Sequence, residues 1–191
     1  MRVPASAGST IHIGVHHVTV HSVPACELMN VAAIEWGAAS HAGAVHEHRH
    51  ECNQDAYCAG PPVFVVADGM GGHCAGDVAS REVIEALLPL VGRVPVTGAM
   101  LTACLTDARA RIARIAVDSG RPPGSTLSGV IATRVDGVPF WVVVNVGDSR
   151  TYRLDSDAFR QLTIDHTIVR ELIDAGAIAP SAGASHPAAT C

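Results

Sequence analysis

The chain lacks several features that define large classes of proteins. None of its 13 basic side chains is a lysine, and 18 acidic residues outnumber them, so the formal net charge is −5. A protein that binds nucleic acid or an anionic membrane through charge needs a basic surplus, so both kinds of partner are disfavoured. Aromatic residues are few, with two Trp, two Tyr and three Phe. The core must therefore be built from aliphatic side chains packed between layers.

Long hydrophobic runs and paired cysteine motifs are missing as well. The longest apolar stretches, near Val63–Ala67 and Phe140–Val144, are far shorter than the ~20 residues that cross a bilayer, so no membrane segment is predicted. No apolar stretch of the kind found in export signals precedes Cys26. The six cysteines form no CxxC pair, which favours reduced thiols. We therefore expect a cytoplasmic protein.

The pattern of apolar residues divides the chain into two parts. Residues 1–34 show short alternation but no caps or turns that define a compact unit, so we expect a poorly ordered N-terminal extension. Residues 35–191 form the predicted domain. Within it, Val63–Ala67 is an apolar run of strand length bounded by glycine and proline, which predicts a buried central strand.

Helices and hairpins are predicted on either side of that strand. Apolar residues at three- and four-residue spacing indicate helices from Asp77 to near Gly92, through Leu101–Ile115 up to Gly120, and from a cap at Asp165 to Gly176. Two apolar runs flank Asp136–Gly137, and two shorter ones flank Asp155–Asp157, which predicts two hairpins. Because strands and helices are grouped, the expected class is α+β with mostly antiparallel pairing.

The most informative stretch follows the central strand. Asp68 stands at the strand end, where its carboxylate would lie at the rim of a sheet, and Gly69, Gly71 and Gly72 let the backbone approach an ion or phosphate. Hard divalent cations take carboxylate, carbonyl and water ligands. A simple Asp–Gly turn that binds no ligand also explains this stretch of sequence. Similarly, Asp148 follows an apolar strand and is read equally well as a turn residue.

Taken in order, several short motifs resemble bacterial PP2C-type protein serine/threonine phosphatases, the PPM family. The motifs are Asn53–Gln54–Asp55, Ala67–Asp68–Gly69–Met70–Gly71–Gly72–His73, Ser125–Thr126–Leu127, Gly147–Asp148–Ser149–Arg150 and Leu162–Thr163–Ile164–Asp165–His166. The resemblance runs from about Ile34 to the C-terminus. It implies an αββα sandwich of two antiparallel sheets flanked by helices. It also implies two Mn²⁺ or Mg²⁺ ions at one rim, where an activated water hydrolyses phosphoserine or phosphothreonine in proteins.

The resemblance also implies roles for individual residues. Asp68 matches the ligand that bridges the two ions, and Gly69 offers a backbone carbonyl. Asp55 matches the acidic residue that orders metal-bound water. Gln54 stands where many relatives have Glu, and it would contact the metal through a bound water molecule. Asp148 matches a position linked to a third, weaker metal. The implied partners are a phosphorylated protein and a serine/threonine kinase that shares its targets.

The sequence departs from the family pattern in two places. Three residues before the Asn, relatives carry an arginine that binds the substrate phosphate. This chain has His50 at that position. Arg49 is the nearest candidate, but a one-residue shift on a strand turns it to the other face unless a bulge restores it. Further acidic motifs expected downstream are absent, since Asp174 is the last acidic residue. We therefore expect a C-terminally truncated domain with weak metal binding and little or no turnover.

Two other functions compete with this one. The first is a non-catalytic pseudophosphatase that keeps the fold and binds a phosphoprotein or a kinase. The second is a soft-metal module, in which His46, His48, His50 and Cys52 would lie on one strand face and bind Zn²⁺ or Ni²⁺. Side chains two residues apart on a strand fan out along the sheet, which argues against one shared ion. A solvated histidine-rich edge is the simpler interpretation.

Overall fold

The computed structural model describes residues 2–4, 10–13, 18–21, 34–40, 53–71, 75–115, 122–156 and 158–185. The strands in these residues are β1 (Arg2–Pro4), β2 (Thr10–Ile13), β3 (Val18–His21), β4 (Glu35–Ala38), β5 (Asp55–Gly60), β6 (Val63–Met70), β7 (Gly124–Ser125), β8 (Leu127–Val135), β9 (Val138–Val146), β10 (Thr151–Leu154) and β11 (Phe159–Gln161). The helices are α1 (Ala75–Leu87), α2 (Gly98–Ile112) and α3 (Ile168–Asp174), with 3-10 turns at Leu88–Leu90 and Pro180–Ser185. This grouping of strands and helices confirms the α+β class.

The strands form two antiparallel sheets. The first has the order β1-β9-β8-β6-β5, with β7 paired to the end of β6, and the second has the order β11-β10-β2-β3-β4. Asp136 and Gly137 join β8 to β9 with φ values of 53° and 79°. Two successive positive φ angles are what a type I′ turn requires, so the predicted hairpin is confirmed. The β10–β11 hairpin is confirmed as well.

Strand β6 is buried from both sides, as its continuous apolar run predicted. Val63 and Val65 pack in one core cluster with Leu87 of α1. Phe64 packs in a second cluster with Trp141 of β9. Because successive strand residues point to opposite faces, one face of the first sheet lies against α1 and α2. The opposite face lies against the second sheet.

The contact between the sheets combines aromatic packing with buried hydroxyls. Trp36 of β4 lies on Phe64, with ring centroids 5.8 Å apart. Ser128 of β8 and Thr151 of β10 share a hydrogen bond of 3.0 Å, and both side chains are buried. Helices α1 and α2 thus form the outer layer on the first sheet. In the part of the chain that the structure describes, α3 is the helix beside the second sheet, where Gln161 and Val169 line one cavity.

The N-terminal segment differs from the expectation of a poorly ordered extension. Strand β1 pairs with β9 in the first sheet, while β2 and β3 lie between β10 and β4 in the second. For these three strands the prediction is wrong. They are only three or four residues long, and strands that short depend on their pairing partners more than on their own sequence pattern. The rest of residues 1–33 lies outside the described residues.

Helix positions were predicted better than helix ends. Helix α1 begins at Ala75, so Asp77 lies in its first turn instead of capping it. Thr167 caps α3, because its side chain accepts a hydrogen bond from the Arg170 N–H, so the predicted cap at Asp165 is wrong. Gly176 follows α3 with φ 69°, as predicted for its C′ position. None of the described helices has the length and apolarity needed to cross a membrane.

Candidate metal centre

Two acidic side chains face each other at one end of the first sheet. Asp55 begins β5 and Asp68 lies near the end of β6, and the register of the two strands pairs these residues directly. Directly opposed residues of an antiparallel pair have Cβ atoms roughly 4.5–5.5 Å apart and side chains on the same face. Like charges in that arrangement repel each other, so a bound cation would offset a cost that the fold otherwise carries.

Strand alternation explains which face carries the pair. Ala67 belongs to the cluster beneath α1, whereas Phe64 and Val66 pack between the two sheets. Asp68 continues the alternation of Phe64 and Val66, so it lies on the face toward the second sheet. It lies past the last of these apolar residues, and its side chain is exposed. The carboxylate therefore stands at the rim of the sandwich, as the sequence predicted.

Thr126 lies on the other side of Asp68, in the same line across the sheet. The Thr126 N–H donates to the Asp68 carbonyl oxygen at 2.8 Å, and the Asp68 N–H donates to Thr126 Oγ1 at 3.0 Å. Thr126 Oγ1 also lies 2.7 Å from Ser149 Oγ, and both side chains are buried. These contacts link the strand that carries Asp68 to the turn after β9.

Close backbone packing joins the end of β6 to the start of α1. A Cβ on Gly69 would lie 1.9 Å from the Gly76 carbonyl oxygen and 2.7 Å from that of Gln54. The Gly69 N–H donates to the same Gln54 oxygen at 3.1 Å. Glycine is needed at position 69 because there is no space for a side chain. The Gly69 carbonyl oxygen lies against Gly76, and its role as a metal ligand stays a prediction.

Gln54 is held by contacts within the protein. Its side-chain Nε2 donates to the Gly71 carbonyl oxygen at 3.4 Å, and its backbone carbonyl oxygen accepts from Ser80 Oγ at 2.7 Å. Next to it, the Asp55 N–H donates to Asn53 Oδ1 at 3.1 Å. These bonds set where β5 begins and therefore where Asp55 stands. A water-mediated role of Gln54 at a metal stays a prediction.

Asp148 does not join Asp55 and Asp68 in a larger ligand cluster. It is exposed and follows Gly147, whose φ is 87°. Within the residues that the structure describes, no three His, Cys, Asp or Glu side chains lie together in a way that could hold a metal. The proposed third-metal role of Asp148 is therefore still a prediction. Asp55 and Asp68 are the carboxylate pair that the structure brings together.

An ion pair that the sequence motifs did not predict connects the last two motifs. Arg150 Nε donates to Asp165 Oδ1 at 2.9 Å and Arg150 Nη2 to Asp165 Oδ2 at 2.6 Å. Hydrogen bonding to Asp165, and then to Tyr152, raises the pKa of the Arg150 guanidinium above its ordinary value. The His166 N–H donates to the Gly147 carbonyl oxygen at 2.9 Å. The only sign of the ion pair in the sequence is that Arg150 and Asp165 both belong to the motif series.

Several predicted site residues lie outside the part of the chain that the structure describes. Arg49, the candidate for binding the substrate phosphate, lies outside the described residues, as do His73 and Gly72 of the glycine-rich motif. The four residues of the alternative soft-metal site lie outside them too, namely His46, His48, His50 and Cys52.

Known proteins share both the sequence and the fold. The profile of the family described as protein phosphatase 2C matches residues 42–173. The serine/threonine protein phosphatase PstP of Mycobacterium tuberculosis is 37% identical over 142 residues, which cover 71% of this chain and 26% of PstP. The serine/threonine phosphatase stp of Listeria innocua is 36% identical over 137 residues, which cover 66% of this chain and 52% of stp.

Solved structures show the same relationship. A crystal structure of M. tuberculosis PstP superposes with a TM-score of 0.61 at 34% identity, over 75% of this chain and 61% of that one. The catalytic domain of PstP in complex with two manganese ions superposes with a TM-score of 0.56 at 34% identity, over 70% and 58%. The chain therefore belongs to the protein phosphatase 2C family, as its motif series predicted. It spans about a quarter to a half of the length of these curated relatives.

Proposed function

We propose that this protein hydrolyses phosphoserine and phosphothreonine in proteins with the help of bound Mn²⁺ or Mg²⁺. The observation that carries the proposal is the direct opposition of Asp55 and Asp68 at the rim of the first sheet. Both side chains are hard oxygen donors, which suit these two cations. The relatives named above are serine/threonine phosphatases, and one was crystallised with two manganese ions.

The chain's own residues would divide the work between them. Asp68 would hold both ions, and Asp55 would orient water beside them, as in the family pattern. Bound divalent ions make water a stronger nucleophile at neutral pH and offset the charge of a phosphoryl group. Thr126 is hydrogen-bonded to the backbone of Asp68, and the backbone carbonyl of Gln54, next to Asp55, accepts from the Gly69 N–H. These bonds fix where the two carboxylates stand. Gly69 would add its carbonyl oxygen.

The same site predicts weak activity for this 191-residue chain. Affinity at an oxygen-ligand site rises with the number of charged ligands, and the structure brings together two carboxylates here. Turnover is therefore expected to be slow. The proposed substrate is a phosphorylated protein, and a serine/threonine kinase acting on the same targets is the natural opposing enzyme. Location in the cytoplasm, where thiols stay reduced, is part of the proposal.

Phosphate release from a phosphothreonine peptide tests the proposal. The wild-type chain is assayed with Mn²⁺ and with EDTA, beside Asp68→Asn and the control Asp136→Asn. Asp136 is exposed in the β8–β9 turn and has φ 53°, which Asn tolerates. We expect a slow rate that requires Mn²⁺ and that Asp68→Asn abolishes, while Asp136→Asn leaves it unchanged.

Two results would contradict the proposal. One is a rate that EDTA or Asp68→Asn does not reduce. The other is a chain that binds both Mn²⁺ and the phosphopeptide yet releases no phosphate, even when incubated overnight at high protein concentration. That second result would instead favour the non-catalytic pseudophosphatase.

A further inference from the structure

The hydrogen bonds between Asp68 and Thr126 depart from a regular sheet. The pairs Val66–Ser128 and Gly69–Ser125 flank them, so Asp68 and Thr126 stand opposite each other in register. Opposed residues in this kind of pair normally exchange two backbone bonds. One of them is present, from the Thr126 N–H to the Asp68 carbonyl oxygen. In place of the second, the Asp68 N–H donates to the Thr126 hydroxyl.

The Thr126 hydroxyl is in turn held from the opposite side. Ser149 Oγ lies 2.7 Å from it, and the two residues are 8% and 2% exposed, so water does not compete for this bond. Gly147, the next residue across the sheet, makes room for the threonine methyl group. A Cβ at Gly147 would lie 2.9 Å from Thr126 Cγ2. One rotamer of Thr126 is therefore selected by packing and by hydrogen bonding together.

We propose that Thr126 is a positioning residue for the metal ligand Asp68, and that Ser149 keeps the Thr126 hydroxyl in place. This inference rests on the proposed metal site. The two bonds from Thr126 hold the peptide groups on both sides of the Asp68 Cα, and so fix the direction in which its carboxylate leaves the strand. Groups that orient a metal ligand in this way contribute to metal affinity without touching the ion.

A second buried threonine, Thr133 in β8, provides a matched control. Thr133 Oγ1 accepts from the Val96 N–H at 3.0 Å and donates to the Val96 carbonyl oxygen at 2.7 Å, and it is 5% exposed. Replacing either threonine by valine removes a buried hydroxyl and leaves a backbone N–H without that acceptor. The two changes should therefore lower the thermal unfolding midpoint by similar amounts. Thr126 is the one of the two that bonds to Asp68.

Mn²⁺ alone is the probe, and free Mn²⁺ is counted by electron paramagnetic resonance during titration of the 191-residue chain. We expect Thr126→Val to weaken Mn²⁺ binding by about tenfold or more, in the range found for groups that orient metal ligands. Thr126→Ser, which keeps the hydroxyl, should restore binding to near the wild-type level. Thr133→Val should bind Mn²⁺ like the wild type despite its lower unfolding midpoint.

A pair of serine variants decides the question if Thr126→Val does not fold. Ser149→Ala removes the partner of the Thr126 hydroxyl, and Ser128→Ala removes a buried serine bonded to Thr151 between the same sheets. Ser149→Ala should weaken Mn²⁺ binding, and Ser128→Ala should not.

The inference is overturned if folded Thr126→Val, or Ser149→Ala in its place, binds Mn²⁺ as tightly as its control, or if the wild-type chain binds no Mn²⁺. Phosphate release is measured separately. If the wild type releases none while Thr126→Val still weakens Mn²⁺ binding, the proposed phosphatase function fails and the role of Thr126 stands.

Discussion

The two ends of the β8–β9 strand pair use similar parts for different purposes. At the turn end, Asp136 and Gly137 close a tight hairpin, and the nearby Thr133 bonds to the backbone of Val96. At the site end, Gly147 also has a positive φ, and the nearby Thr126 bonds to the backbone of Asp68. Each end thus has one left-handed glycine and one buried threonine.

The difference lies in what each threonine holds. Thr133 closes an ordinary structural contact with the loop before α2. Thr126 holds Asp68, whose carboxylate is opposed by that of Asp55. The Thr126 hydroxyl is also hydrogen-bonded to Ser149. A side chain of the same type therefore stabilises the fold at one end and orients a candidate ligand at the other. What surrounds the threonine decides its role.

The largest effect is expected from Gly69→Ala at the site end. Its Cβ would meet backbone atoms of Gly76 and Gln54, which cannot move aside as a flexible side chain could. We expect the free energy of unfolding to fall by about 3 kcal/mol or more, measured by urea denaturation. Gly98→Ala is the control, because nothing lies within 4 Å of a Cβ there. A fall of similar size in both variants would disprove the close packing.

The next largest effect is expected from a comparison of Gly137 and Gly147, the left-handed glycines at the two ends of the strand pair. Gly137→Ala and Gly147→Ala both force alanine into a positive φ, which costs roughly 1–2 kcal/mol. Only the Cβ at position 147 also meets Thr126, at 2.9 Å, whereas nothing lies within 4 Å at position 137. Gly147→Ala should therefore be about 1 kcal/mol more destabilising in urea denaturation. Equal losses would show that Thr126 is not held by this contact.

A smaller effect should appear when the opposed carboxylates are relieved of their repulsion. In EDTA, Asp55→Asn is expected to raise the free energy of unfolding by roughly 0.5 kcal/mol, since like charges directly opposite each other destabilise a strand pair. The gain should shrink as salt is added, because salt screens charge. Asp136→Asn at the turn end should show no such gain. If Asp55→Asn instead lowers stability in EDTA, its carboxylate stabilises the fold even without a cation.

The smallest effect is expected from the ion pair between Arg150 and Asp165. Its side chains are 47% and 19% exposed, so solvent screens the attraction despite the two-bond geometry. A double-mutant cycle with Arg150→Met and Asp165→Asn should give a coupling of roughly 0.3 kcal/mol, decreasing with salt. A coupling several times larger would mean that this pair holds the site end together, and the role assigned to Thr126 and Ser149 would then be secondary.

Much of this architecture could be predicted from the sequence, and the residues show why. The apolar run of β6 and the Asp136–Gly137 turn are local signals, so the central strand and its neighbouring hairpin were found correctly. Family membership followed from the order of several motifs. Asp68 and Asp55 could be named from the same motifs, and the structure places them in register with each other.

The parts that could not be predicted depend on contacts between distant segments. Thr126 and Ser149 are 23 residues apart, and Arg150 and Asp165 are 15 apart. Such pairs meet only because sheet register and packing bring their strands together, and no local pattern encodes that register. Strand β1 was missed for the same reason, because three residues carry too little periodicity to be recognised without the partner strand β9.

The metal site proposed at Asp68 is tested most directly by the effect of Mn²⁺ on thermal unfolding of the wild type, Asp68→Asn and Asp136→Asn. A ligand that binds only the folded state raises its stability in proportion to the logarithm of its concentration once the site fills. We predict that the unfolding midpoint rises with Mn²⁺ for the wild type and for Asp136→Asn, and stays constant for Asp68→Asn. An equal rise in all three proteins, or no rise in any of them, would show that Asp68 does not hold the metal.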